Sequence, residues 1–132
     1  MEDELTQKEG VVVDEVALAP NARVAKAKEL LAAGATYPKG CSGFVSAVLG
    51  IAWEDANSLM GASPTYIGVD NIYTGLAPGD VVGWKNTSGS GHVAIYVGET
   101  EEKFIDVKTE NEKPRKVVNG YGGEKLYKSS KY

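Results

Sequence analysis

From Asp80 onward the chain is a succession of short runs rich in β-branched and aromatic residues, each closed by a polar or glycine-bearing turn. Runs at residues 80–85, 92–98, 103–108 and 115–118, with a last short one at 125–127, read as strands. Their connections are too short for crossovers, so the strands must pair antiparallel. The first half lacks this alternation. Pro20-Asn21 precedes an apolar pattern at Val24, Ala27, Leu30 and Leu31, with Asn21 as N-cap and Gly34 as stop. Phe44, Val45, Val48 and Leu49 repeat the helical spacing until Gly50, and residues 54–60 read as a further short helix with Trp53 in the core. Residues 61–79 carry Gly, Pro, Ser and Asn and read as a loop, with Tyr66 and Tyr73 available to line a cleft. Helices first and strands after describe an α+β domain whose N-terminal helices pack on an antiparallel β-sheet.

At 132 residues the chain fits one domain. Residues 1–20 form an N-terminal segment, mobile to about residue 10 and extended over residues 11–16, and residues 21–132 form the single folded domain, expected to work as a monomer. One cysteine allows no intramolecular disulfide. The net charge of −4 is divided: residues 1–15 hold six acids and one lysine, whereas residues 103–132 hold eight basic residues and four acids. The basic third is either a solvated strand face and tail or an attraction for an anionic polymer. An acidic chain without a basic–aromatic motif gives no support to nucleic acid binding. The apolar stretches fall far short of the ~18 residues a membrane span needs. Met1-Glu2-Asp3-Glu4 is acidic where a secretion signal is basic, so the expectation is synthesis in the cytoplasm without a signal peptide.

The single cysteine and the single histidine each lie inside a motif, Gly40-Cys41-Ser42-Gly43-Phe44-Val45 and Gly91-His92-Val93-Ala94-Ile95-Tyr96-Val97-Gly98. A lone cysteine is by default a small buried hydrophobe. Cys41, however, falls in the first turn of a helix, where free N–H groups and the helix dipole favour the thiolate. Gly43 in that turn costs roughly 1 kcal/mol against Ala, which points either to close approach by another backbone or a substrate, or to ordinary helix–sheet packing. His92 opens a strand whose Val93, Ile95 and Val97 face one way while His92, Ala94 and Tyr96 face the other. One Cys and a separate His are a candidate nucleophile and base. They cannot supply a catalytic zinc's usual ligands without carboxylates filling in, and neither metal nor cofactor is expected.

Cys-Ser-Gly-Phe-Val at a helix start, then Leu76-Ala77-Pro78-Gly79-Asp80-Val81-Val82-Gly83-Trp84, then Gly-His-Val-Ala-Ile-Tyr-Val-Gly, then Phe104-Ile105-Asp106-Val107, resembles the NlpC/P60 papain-like cysteine peptidases of bacterial cell walls. The four segments occur in that family's order and cover roughly residues 22 to 110. The related CHAP amidases share the Pro-Gly-Asp and Gly-His-Val-Ala elements, and the Gly-Cys-Ser-Gly-Phe-Val start is also similar to the amidase effectors that bacteria inject through type VI secretion. Two departures stand out: Gly40 where the family has Asp before the nucleophile, and no tryptophan–glycine–glycine stretch upstream.

The resemblance implies a papain-like fold and a Cys-His-Asp triad. Cys41 is the nucleophile, His92 the base and then the acid, and Asp106 the group that orients the imidazole. An amide at position 106 would keep an acceptor for the imidazole N–H. The backbone N–H of Cys41, helped by Ser42, is the candidate oxyanion hole. Tyr37, four residues before Cys41, either packs or replaces the family's substrate-recognising tyrosine, and Tyr66 and Trp84 are further candidate substrate contacts. The implied activity is hydrolysis of amide bonds in peptidoglycan stem peptides, above all between D-glutamate and diaminopimelate, after export or injection into the periplasm, with an inhibitory immunity protein as a partner. An acyltransferase or deamidase acting on a protein or lipid, and a non-catalytic wall-binding module, are the other readings of the same fold.

Overall fold

Pro20 opens the first helix. The computed structural model describes residues 16–86 and 91–132, and in it helix α1 (Pro20–Ala33) starts on the proline, with Ala19 at the cap and no side-chain cap bond. Asn21 is therefore inside the helix rather than capping it: proline lacks an N–H, and the first helical position is where that lack costs nothing. Gly34 ends α1 in the left-handed conformation, its N–H returning to the carbonyl of Leu30. Buried Arg23 ties α1 to its surroundings by donating to the carbonyls of Leu18, Gly79 and Tyr132. Of the segment expected to be extended over residues 11–16, only Val16 lies among the described residues, as do none of residues 1–10.

Helix α2 (Gly40–Leu49) is stopped by left-handed Gly50. Its four apolar anchors, Phe44, Val45, Val48 and Leu49, are fully buried, each contributing about 1.5–3 kcal/mol of transfer free energy. Helix α3 (Ala56–Met60) is one turn long and is capped by Asp55, which accepts from the N–H of Ser58.

Among the described residues seven strands follow: β1 (Thr65–Val69), β2 (Ile72–Tyr73), β3 (Val81–Trp84), β4 (His92–Glu99), β5 (Glu102–Val107), β6 (Pro114–Val117) and β7 (Leu126–Lys128). They make one sheet in the order β2-β1-β7-β3-β4-β5-β6, every pair antiparallel. The expected strands from Asp80 onward are all present. The stretch read as a loop is not: residues 65–73 form the β1–β2 hairpin. Asp70 and Asn71 both have positive φ at its two-residue turn, as a type I′ turn requires. The hairpin owes its place to β7, which pairs with β1 on one side and β3 on the other.

Strand alternation divides the core. Val81, Val93, Ile95, Val97, Ile105 and Val107 face the helices, while Val82, Ala94, Phe104 and Leu126 face a second cluster completed by Ile67, Trp84, Tyr96 and Tyr121. The two faces of β4 are those its sequence pattern implies. Among the described residues no helix is long and apolar enough to cross a membrane.

Candidate active site

Cys41 is the second residue of α2, and the conformation of Gly40 delivers it there. Gly40 has a φ of 66° and donates its N–H to the carbonyl of Tyr37. A Cβ on Gly40 would sit 3.1 Å from the backbone N of Glu110 and the backbone C of Thr109. Both the left-handed backbone and the close β5–β6 connection disfavour a larger side chain, which gives a physical reason for glycine where the resembled family has Asp. Gly40→Asp is expected to lower the unfolding free energy by about 1–3 kcal/mol, read from a shifted urea midpoint. An unchanged midpoint would mean that the 108–112 connection yields freely.

Against Gly43 lies the Lys39 side chain, with neither another backbone nor the sheet close to it. A Cβ there would lie 2.9 Å from Cβ of Lys39. The Lys39 ammonium lies over the Trp53 ring, 4.4 Å from its centroid. Trp53, expected in the core, is half exposed and lines the cleft beside Cys41. Its indole N–H donates to the hydroxyl of Ser42, which in turn donates to the carbonyl of Lys39. Ser42 thus spends its hydroxyl on anchoring Trp53. Any oxyanion contact from this segment falls to backbone N–H groups, which the first turn of a helix leaves without intrahelical partners.

Across the cleft the site is written in strand register. His92 is the cross-strand partner of Trp84, Asp106 lies diagonally from His92 on the same face of the β4–β5 pair, and Arg115 is the direct partner of Asp106 on β6. His92 Nε2 lies 2.7 Å from Asp106 Oδ2. An ionised carboxylate only accepts, so the imidazole donates through Nε2 and keeps Nδ1 as its other nitrogen for proton exchange. Arg115 donates to the same carboxylate through Nε at 2.7 Å and Nη2 at 3.3 Å, and the Tyr121 hydroxyl donates at 2.7 Å. Trp84 and Tyr121 enclose the imidazole, with ring centroids 5.1 and 5.3 Å from it.

Electrostatics follow from this packing. Burial pushes the Cys41 thiol up, but its hydrogen bond to His92, the charge of His92 and the N–H of Val93 outweigh burial and the opposing charge of Asp106, so the thiol ends below its ordinary value. Burial pulls His92 down; the hydrogen bonds and charges of Asp106 and Cys41 overcome it and raise the imidazole to about 9. Asp106 is fully buried, yet His92, Arg115 and Tyr121 outweigh its desolvation and hold its carboxyl below the usual range. The thiol's downward shift and the imidazole's upward shift both act in the direction of a thiolate–imidazolium pair. What it can do chemically is add a thiolate to an electrophilic carbonyl and deliver a proton to the departing group.

The cleft holding the pair is about 790 Å³ and open to solvent, and its lining includes Lys39, Trp53, Asn57, Lys108, Glu110 and Asn111. Trp84 lies against His92 but is not among the cleft's walls. Tyr37 packs edge-on against Phe44, and Tyr66 is half exposed on β1 against Tyr127; neither lines the cleft. Tyr73 accepts from the N–H of Tyr121 and so supports the site from behind. Among the described residues no three His, Cys, Asp or Glu side chains gather as a metal site.

Sequence reasoning missed Trp53, Arg115 and Tyr121. Trp53 had a signal, since it stands beside Glu54-Asp55 outside any apolar period. Arg115 could have been placed opposite Asp106 by assuming a hairpin between their strands. Tyr121, in a glycine-rich connection, carried none. No protein-family model matches this chain, and no curated protein shows a significant match to it.

Proposed function

We propose that the chain is a papain-like cysteine hydrolase of the NlpC/P60 type that cleaves amide bonds in peptidoglycan stem peptides, with the bond between D-glutamate and diaminopimelate as its first candidate. The observation that carries this reading is the grouping at one cleft: Cys41 at a helix start and His92 at a strand start both line it, and His92 is hydrogen-bonded to a buried, charge-clamped Asp106. A core cysteine has no use for such a partner.

In the proposed reaction the Cys41 thiolate adds to the amide carbonyl. The oxygen takes the charge near the N–H groups of the α2 start, and the imidazolium of His92 gives its proton to the leaving amine as the C–N bond breaks. A water then attacks the thioester, His92 accepts its proton, the C–S bond breaks, and the acid and the thiolate are regenerated. Trp53 offers the substrate an apolar wall and Lys39 a cation. The enzyme would act in the periplasm after export or injection, with an immunity protein covering the cleft in the producing cell.

Digestion of purified sacculi followed by mass spectrometry of the released muropeptides tests the reading. The expected products are fragments ending in a free glutamate carboxyl, paired with fragments bearing a new amine. Intact sacculi, with an acyl group moved to or an amide nitrogen lost from a protein substrate instead, would give the function to transfer or deamidation.

A further inference from the structure

Among the described residues the carboxylate of Asp106 accepts from three side chains, and only one of them, His92, takes part in the proposed chemistry. The other two come from chain that follows β5. Arg115 reaches across the β5–β6 pair and grips the carboxylate with two N–H groups, while Tyr121 closes over it from the connection after β6. A carboxylate that only had to accept from an imidazole would need neither.

We propose that Arg115 is a positioning residue for the Cys41–His92 pair, fixing the plane of the Asp106 carboxylate and setting the range of pH over which the thiolate and imidazolium coexist. The inference rests on the cysteine-hydrolase reading above. A guanidinium presents a rigid fork that matches both carboxylate oxygens, so the acceptor for His92 Nε2 stays in place. Its charge also offsets part of the carboxylate's pull on the imidazolium, which must release its proton to the leaving amine. At longer range the same charge favours the Cys41 thiolate.

The groups that face this carboxylate are His92 from β4, Arg115 from β6 and Tyr121 from the following connection; Cys41 on α2 acts through His92, Glu112 bears on Arg115 and Tyr73 on Tyr121. Arg115 is the cation of that set with no proton to lose near neutrality. Removing it leaves Asp106 uncompensated, so the imidazolium holds its proton to higher pH, and the thiol, deprived of a cation, ionises at higher pH. Both shifts have the same sign. A purely structural role would not move both together.

The test is the rate of Cys41 alkylation by iodoacetamide against pH, which needs no assignment because the chain has one cysteine, with sacculus hydrolysis measured beside it. In the full chain, Arg115→Gln is expected to move both the thiolate and the imidazolium limbs upward by about half to one pH unit. Arg115→Lys is expected to leave both limbs in place while lowering hydrolysis about 10- to 100-fold, because charge survives and the fork does not. A folded Arg115→Gln protein with unmoved limbs overturns the proposal, as does an Arg115→Lys protein that hydrolyses at the unmodified rate, and the second criterion decides if the Gln variant does not fold. An unmodified protein whose Cys41 titrates as an ordinary thiol would instead bring down the hydrolase reading, and this proposal with it.

Discussion

Cys41→Ala is expected to fold and to leave sacculi intact, with hydrolysis reduced by about 10⁴-fold or more. The side chain is only partly buried at the edge of the helix–sheet core, so replacing a thiol by a methyl removes little packing. What it removes is the group that attacks. It also removes one of the two partners that raise His92 to about 9, so the imidazole of the variant should titrate lower, a shift that NMR of the single histidine reads directly. Because the pair acts as a unit, His92→Ala should cost nearly as much and the double variant little more than either. A folded Cys41→Ala protein that still releases muropeptides would remove the nucleophile assignment, whatever the state of the imidazole.

That prediction was available from the amino-acid sequence, and the reason is local. A cysteine in a helix's first turn and a histidine at the head of an alternating strand are features of a few consecutive residues, and the elements that carry them lie where their periodicities place them. The division of β4 into a helix-facing row and a second row is equally local. What escaped is what depends on distant chain. The β1–β2 hairpin is seated by β7, some sixty residues later, and its turn uses Asp70-Asn71 instead of a glycine-bearing pair. Trp53 looked like a core tryptophan because aromatic residues usually are, but the Ser42 hydroxyl and the Lys39 ammonium hold it in the cleft wall. Asp106 was legible as a strand residue near His92. Its enclosure by Arg115 and Tyr121 was not, since it arises from the β5–β6 register and from a connection without any periodic signal.

That enclosure changes what is expected of Asp106→Asn. On sequence grounds the amide is the mild substitution, because its oxygen still accepts from the imidazole. In the folded site, Oδ2 receives His92, Tyr121 and one Arg115 nitrogen, and Oδ1 receives Arg115 Nε. An amide nitrogen at the Oδ2 position would oppose His92 and Tyr121 at once, so it must take the Oδ1 position and confront Arg115 Nε donor to donor. Arg115, whose side chain is 42% exposed, can swing into solvent, at a cost to stability of about 1–3 kcal/mol for the broken charged hydrogen bonds. The imidazole then keeps an acceptor and loses its anion. Since the hydrogen bond and charge of Asp106 do much of the work of lifting His92, the imidazolium is weakened almost as much as in Asp106→Ala. Both variants should therefore fall in kcat by about 10²- to 10⁴-fold and lie within about tenfold of each other. Stability supplies an independent check with a definite sign. The folded carboxyl sits below its ordinary value, so its contribution is complete well above the unfolded value of about 3.9 and fades as pH falls through the lower folded value. Urea midpoints of the unmodified and Asn proteins should accordingly differ at pH 7 and converge in acid. An Asn variant near the unmodified rate, beside an Ala variant a thousandfold slower, would mean that His92 needs only an acceptor at this position and that the charge row through Asp106 and Arg115 is structural.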